Sequence, residues 1–114
     1  MREITLPVET AKIKINGMVF ELHMSDLDIY NRAQEIHQKF QKYNERPTDS
    51  FPPDEVLADC NELAGFLDSM LGDGAVARIS KGKPVRMAML FRWIDVIAED
   101  AASHYAELVE GEHD

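Results

Sequence analysis

The sequence holds a single cysteine, Cys60, so it can close no intramolecular disulfide and build no cysteine-rich zinc site. A reducing cytosol is the natural setting for such a chain. No apolar run approaches the roughly 20 residues of a bilayer span, and residues 1–5 carry no signal-peptide apolar core, so neither membrane insertion nor export is expected. Positive charge is scarce: 12 Lys and Arg against 21 Asp and Glu leave a net charge of −9, which argues against general binding to nucleic acid or an anionic membrane. Low-complexity and Pro/Gly-rich tracts are missing too, with 5 Pro and 6 Gly in 114 residues. One domain spanning 1–114 is expected, burying roughly two-thirds of the surface its unfolded chain exposes.

Catalytic signatures are equally sparse. Gly72-Asp73-Gly74 follows a helical pattern rather than a strand and lacks the Gly-Lys-Ser/Thr of a phosphate loop, so it is expected to be a helix cap. The alternating acids of a calcium loop, a His-Glu-x-x-His pair and a nucleophile elbow are all missing. Cys60 lies in an apolar stripe beside Asp59 and Glu62, surroundings that oppose a thiolate. Asp100, His104 and Glu107, spaced four and three apart on one helix flank, could clasp a divalent ion but are expected to form a solvated face with one local hydrogen bond. His37 reads as a half-buried packing residue. No enzyme and no cofactor is expected.

What is present is a strong hairpin signal. Residues 12–22, Lys-Ile-Lys-Ile-Asn-Gly-Met-Val-Phe-Glu-Leu, alternate about Asn16-Gly17, the pair favoured in a two-residue type I′ turn. That register puts Ile15 opposite Met18, Ile13 opposite Phe20 and Ala11 opposite Leu22 on one apolar face, with Lys12 opposite Glu21 on the other. Two strands alone are marginal in water, so helices must cover that face; residues 1–10 are expected to be an extended lead or, over 4–8, a third strand despite Pro7.

Three helices follow by periodicity. The first, over 26–44, is capped by Ser25 and carries Ile29, Ala33, Ile36, Phe40 and Tyr43; three prolines then make 45–53 a loop. The second, over 54–71, places Val56, Leu57, Cys60, Leu63, Ala64, Leu67, Met70 and Leu71 inward and Asp59, Glu62 and Asp68 outward, with Gly72 as a left-handed C-cap. After a short turn at 75–79 and a break at 81–84, the third runs from Pro84 or Val85 to about 109, leaving 110–114 to fray. The expected fold is thus α+β, mostly α: a hairpin over 11–22 packed on helices over about 26–44, 54–71 and 85–109.

Charge falls in blocks. Residues 44–77 hold eight acids and one base, 78–92 five bases and no acid, and 93–114 seven acids and no base. The basic island, Arg78, Lys81, Lys83, Arg86 and Arg92, either pairs internally with Asp68, Asp73 and Asp95, the usual fate of exposed charges, or rims a partner-binding surface. Beside it Met89, Trp93 and Val96 widen the apolar arc of the third helix beyond what a surface helix needs. They are either centrally buried or a contact patch, Trp and Met being common interface anchors.

The order of these features, residues 12–22, Ser25-Asp-Leu-Asp-Ile29, Phe66-Leu-Asp68, Leu71-Gly-Asp-Gly-Ala75 and a long closing helix, resembles the tail assembly chaperone type of small protein from long-tailed phages and prophages of Gram-positive bacteria. The resemblance spans most of the chain and implies a non-enzymatic assembly factor that binds a helical tape-measure protein and recruits tail-tube subunits in the host cytoplasm. It brings no catalytic residues, and the contact set Met89, Trp93, Val96, Arg78, Lys81, Lys83 and Arg86 is read from the residues themselves. A second reading is a small acidic regulatory or inhibitory protein that meets a basic target through acidic helices over 54–68 and 95–110. Self-association into dimers or rings is compatible with an assembly factor.

Overall fold

Asn16 (φ 52°) and Gly17 (φ 82°) occupy the two positive-φ positions of a type I′ turn and join strand β1 (Lys12–Ile15) to β2 (Met18–Glu21). The antiparallel register is Lys12 to Glu21, Ile13 to Phe20, Lys14 to Val19 and Ile15 to Met18, as the alternation requires. One further bond, from the Leu22 amide to the Ala11 carbonyl at 2.8 Å, extends the ribbon. Phe20 is fully buried and Ile13, Ile15, Met18 and Leu22 pack partly against the core, so the apolar face is indeed the covered one. The computed structural model describes residues 1–7 and 11–112, with side chains through Leu108. Residues 1–7 have no regular structure, so a third strand does not form over 4–7, where Pro7 has no amide to donate; residue 8 lies outside the described residues.

Helix α1 (Asp26–Lys39) starts where Ser25 Oγ accepts the Asp28 amide at 3.1 Å, with Asp26 and Asp28 at the positive end of the helix dipole. It buries Ile29, Ala33 and Ile36. The expected continuation to residue 44 is broken at Phe40 (φ −104°, ψ 20°), after which a separate turn, α2 (Lys42–Glu45), follows. Tertiary contacts explain the break. Phe40 is buried edge-on to Phe91, while Tyr43 meets Phe51 at 4.9 Å and donates its hydroxyl to Asp59, and Lys42 pairs with Glu55 and Asp59. A 3-10 turn, Thr48–Ser50, leads into α3.

Helix α3 (Pro53–Leu71) buries Leu63, Phe66, Leu67, Met70 and Leu71. Expectations for it are corrected at Leu57, Asp59, Gly72 and Asp68. Leu57 is 62% exposed rather than inward, and Asp59 turns inward to hold Lys42 and Tyr43. Phe66 lies seven residues beyond Asp59 and so on the same face, which widens the buried arc toward α1; Arg32 lies over its ring at 5.8 Å. Gly72 caps the end of the helix at positive φ, as a glycine C-cap does, though outside the αL well (φ 105°, ψ 154°); the αL residue is Gly74 (φ 80°, ψ 6°). Asp68 does not merely point outward: its carboxylate accepts the amides of Gly74 (3.3 Å) and Val76 (3.0 Å) and caps α4 (Ala75–Ser80).

Lys81 and Gly82, both at positive φ, close α4, the Gly82 amide donating to the Ala77 carbonyl at 2.9 Å. Helix α5 (Met87–Glu112) begins later than residue 84 or 85, with the Arg86 carbonyl accepting the Met89 and Leu90 amides. It continues through residue 112, so the expected fraying from 110 does not hold over 110–112; residues 113 and 114 lie outside the described residues. Met87, Leu90, Ile94, Ile97, Ala98 and Ala101 are buried, but Tyr105 and Leu108, on the same stripe, are 45% and 54% exposed because the helix has passed the end of the core. Helix α1 lies antiparallel to α5, since Asp26 meets His104 at one end and His37 meets Asp95 at the other. The architecture is α+β and mostly helical: among the described residues, a two-stranded hairpin and five helices surround one continuous buried cluster.

Candidate functional site

Helix α5 presents its buried stripe to α1 and α3 and leaves the adjoining flank uncovered. On that flank Met89 is 47% and Val96 57% exposed, while Trp93 is half-buried and packs against the core. The three are spaced four and three apart, just under two helical turns, and so stand in one row. With Ile15 and Asn16 of the hairpin, Ile79 of α4, and Arg92 and Ile97 of α5, they line a groove of about 200 Å³. The two alternatives for this trio therefore divide by residue. Trp93 supplies a wall that is part of the fold, and Met89 and Val96 are free to be covered by something else.

The hairpin turn makes the groove concave. Because Asn16-Gly17 fixes the register, Ile15 emerges at the end of β1 on the covered face and its side chain reaches the Trp93 flank. Ile79 arrives from α4, which is anchored at its start by Asp68. Sequence reasoning placed Ile15 toward the helices but had no means of putting it, or Ile79, against Trp93, because that contact depends on how a two-turn helix docks.

The basic island does not pair internally as expected. Asp68 is occupied by backbone amides and Asp95 by His37, and among the described residues Arg78, Lys81, Lys83, Arg86 and Arg92 make no ion pair. All five are exposed. Their positions differ. Arg92 lines the groove itself; Arg78 lies over the buried Phe20 ring at 4.4 Å, a cation–π contact that fastens α4 to the hairpin; Lys81, Lys83 and Arg86 sit on the connection between α4 and α5 and do not line the groove. The structure thus joins Met89, Trp93, Val96 and Arg92 in one site, with the other cations nearby in the chain.

A second cleft, about 310 Å³, lies between α1, α2 and α5, walled by Phe40, Tyr43, Met87 and Phe91. His37 Nε2 and Asp95 are hydrogen-bonded at its edge, and the His37 ring stacks on Phe91 with centroids 6.0 Å apart. Asp95 orients the imidazole, and the pair serves as a polar seam between α1 and α5. The trio Asp100, His104 and Glu107 does not converge on a point: His104 Nδ1 is taken by Asp26 at 2.6 Å. Among the described residues there is no cluster of three or more His, Cys, Asp or Glu arranged to hold a metal ion, and no helix is long and apolar enough to cross a membrane.

Three titrating groups in the α2–α3 seam are shifted by their surroundings, and the hydrogen bonds to Glu55 and then Asp59 hold the Lys42 ammonium above its ordinary value. Burial, reinforced by the bond to Asp59, pushes the Tyr43 phenol up to about 12. Burial and the neighbouring Asp59 charge likewise raise the Cys60 thiol, which leaves it protonated and poorly nucleophilic.

Comparison with known families gives a match over most of the chain. The model of a family of unknown function, DUF6673, covers residues 16–110, from the hairpin turn almost to the end of α5, and so includes every groove residue except Ile15. The chain belongs to this family. No curated protein and no solved structure matches it.

Proposed function

We propose that this member of the DUF6673 family is a non-enzymatic tail assembly chaperone of a long-tailed phage or prophage, working in the host cytoplasm by binding a helical tape-measure protein and tail-tube subunits. The observation that carries this reading is the groove of Ile15, Ile79, Met89, Trp93 and Val96, edged by Arg92. Its exposed row, from Met89 to Val96, matches the i, i+4, i+7 spacing with which an amphipathic helix presents its own apolar side chains. Covering Met89 and Val96 removes apolar surface from water, while Trp93 is held in place beforehand and loses little freedom on binding. Trp, Met and Arg are the residue types that dominate such contacts.

The second reading, an acidic inhibitor of a basic target, receives less support. Three of the acids of α3 are engaged within the fold: Glu55 and Asp59 by Lys42, and Glu62 by Lys39. An acidic strip already paired with its own cations has little field left for a partner.

Calorimetric titration with a helical segment of the tape-measure protein encoded alongside this chain tests the proposal. Met89→Ala with Val96→Ala, both exposed, is expected to weaken binding at least tenfold while the circular dichroism of the free protein stays near wild type. Equal affinity for the double variant and the wild type would overturn it.

A further inference from the structure

Among the residues that line the Met89–Trp93–Val96 groove, Arg92 alone is charged; the hairpin contributes Ile15 and Asn16, α4 contributes Ile79, and no acid takes part. Arg86 precedes Met89 by three residues and Arg92 follows it by three, so two arginines bracket the first exposed apolar contact. Both are exposed and, among the described residues, make no ion pair, whereas Arg32, Lys39 and Lys42 each hold an acid. The acids that follow on α5 do not answer them. Asp95, three residues after Arg92, is bonded to His37, and Glu99 and Asp100 come only after Val96, past the end of the row. Lys81 and Lys83, on the connection that leads into Arg86, are exposed and unpaired as well. In a chain of net charge −9, the Met89 end of the groove is a local cationic rim. Water solvates these cations in the free chain. Covering Met89 takes part of that water from Arg92, which then needs an acceptor from whatever does the covering.

We infer that the groove selects an amphipathic helix with Asp or Glu flanking its apolar row, seated so that its carboxylates meet Arg86 and Arg92 while its apolar side chains cover Met89 and Val96. This rests on the reading of the groove as a seat for a helix, and it names the chemistry of the occupant. The two parts of the contact have different roles. Apolar burial supplies affinity, and the arginines, whose planar guanidinium groups match a carboxylate, supply choice of partner, register and speed of association. A helix with the same apolar row but Lys or Arg on its flanks is turned away twice, by like charge and by the water that Arg92 loses without gaining an acceptor.

Two synthetic helical peptides test this, identical in a Leu row at i, i+4 and i+7 but flanked by Glu in one and by Lys in the other. Each is titrated against the full chain, with Trp93 emission as the readout. At low salt the Glu peptide is expected to bind about tenfold more tightly than the Lys peptide, although the chain as a whole is acidic. That preference should shrink to about threefold or less near molar salt, where the screening length is about 3 Å. Arg86→Glu with Arg92→Glu should invert it, and Arg86→Gln with Arg92→Gln should abolish it. Both side chains are exposed, and circular dichroism checks that the variants fold. Equal affinity for the two peptides, tighter binding of the Lys peptide, binding of neither, or a preference that survives both pairs of substitutions overturns the inference. Equal binding that is lost in Met89→Ala with Val96→Ala defeats the choice of an acidic helix and leaves the groove as a helix seat. Binding of the Glu peptide by a chain that ignores the tape-measure segment defeats the proposed function alone.

Discussion

Nδ1 of His104, near the distal end of α5, donates to Oδ2 of Asp26, in the first turn of α1, at 2.6 Å. The bond to Asp26, helped by that carboxylate's charge and by Glu107 and Asp100, holds the imidazolium above its ordinary value of 6.5. A histidine raised in the folded state contributes stability that is complete below pH 6.5 and disappears as pH rises through its folded pKa. The melting temperature should therefore fall from pH 6 toward alkaline pH, with part of that slope removed by His104→Gln. A slope unchanged by the substitution would show that the Asp26 contact has no thermodynamic weight.

Core and groove should separate cleanly by mutation. Ile94 has no exposed surface, and Ile94→Ala is expected to cost about 2–5 kcal/mol. Met89→Ala and Val96→Ala, five residues before Ile94 and two after it, should each stay within about 0.5 kcal/mol of wild type because both side chains already face water. Denaturant melts of the three variants measure this, and a loss at Met89 comparable to that at Ile94 would make the flank part of the core.

The hairpin turn offers a backbone test. Gly17 holds φ 82° with open space where a Cβ would stand, so Gly17→Ala introduces strain without a clash and should destabilise by about 1–2 kcal/mol. Because the turn fixes where Ile15 reaches the groove, the same variant should also bind a helical partner more weakly, read by calorimetry.

Cys60 should react slowly. Its raised thiol pKa, caused first by burial and then by Asp59, predicts modification by a disulfide reagent at pH 7.5 at least tenfold slower in the folded chain than in denaturant. Equal rates would mean that α3 opens readily at this position.

The parts of the fold readable in the sequence are those with local causes. Asn16-Gly17 with flanking alternation determines turn type and register together, and Ser25 followed by Asp26 and Asp28 marks a helix start. The break at Phe40 has no such mark, since Phe40 and Tyr43 continue the apolar spacing and neither Gly nor Pro intervenes; it arises from the grip of Asp59 and Glu55 on Tyr43 and Lys42. Asp59 itself carried a signal that went unused: it lies three residues after Val56 and four before Leu63, on the flank of the stripe and not opposite it. For the site, periodicity exposed Met89, Trp93 and Val96 as surplus apolar residues, but Ile15 and Ile79 enter the groove only through tertiary docking. Charge pairing was illegible for the same reason, because Asp68 was claimed by the amides of α4 and Asp95 by His37.

Trp93 is the only tryptophan of the chain and forms a wall of the groove, so its fluorescence reports directly on what the groove holds. Titrating the full chain with a helical tape-measure segment should shift Trp93 emission to the blue and protect it from a soluble quencher, saturating at one segment per chain. Saturable binding of the segment with Trp93 emission and quenching unchanged would place the contact elsewhere and contradict the account.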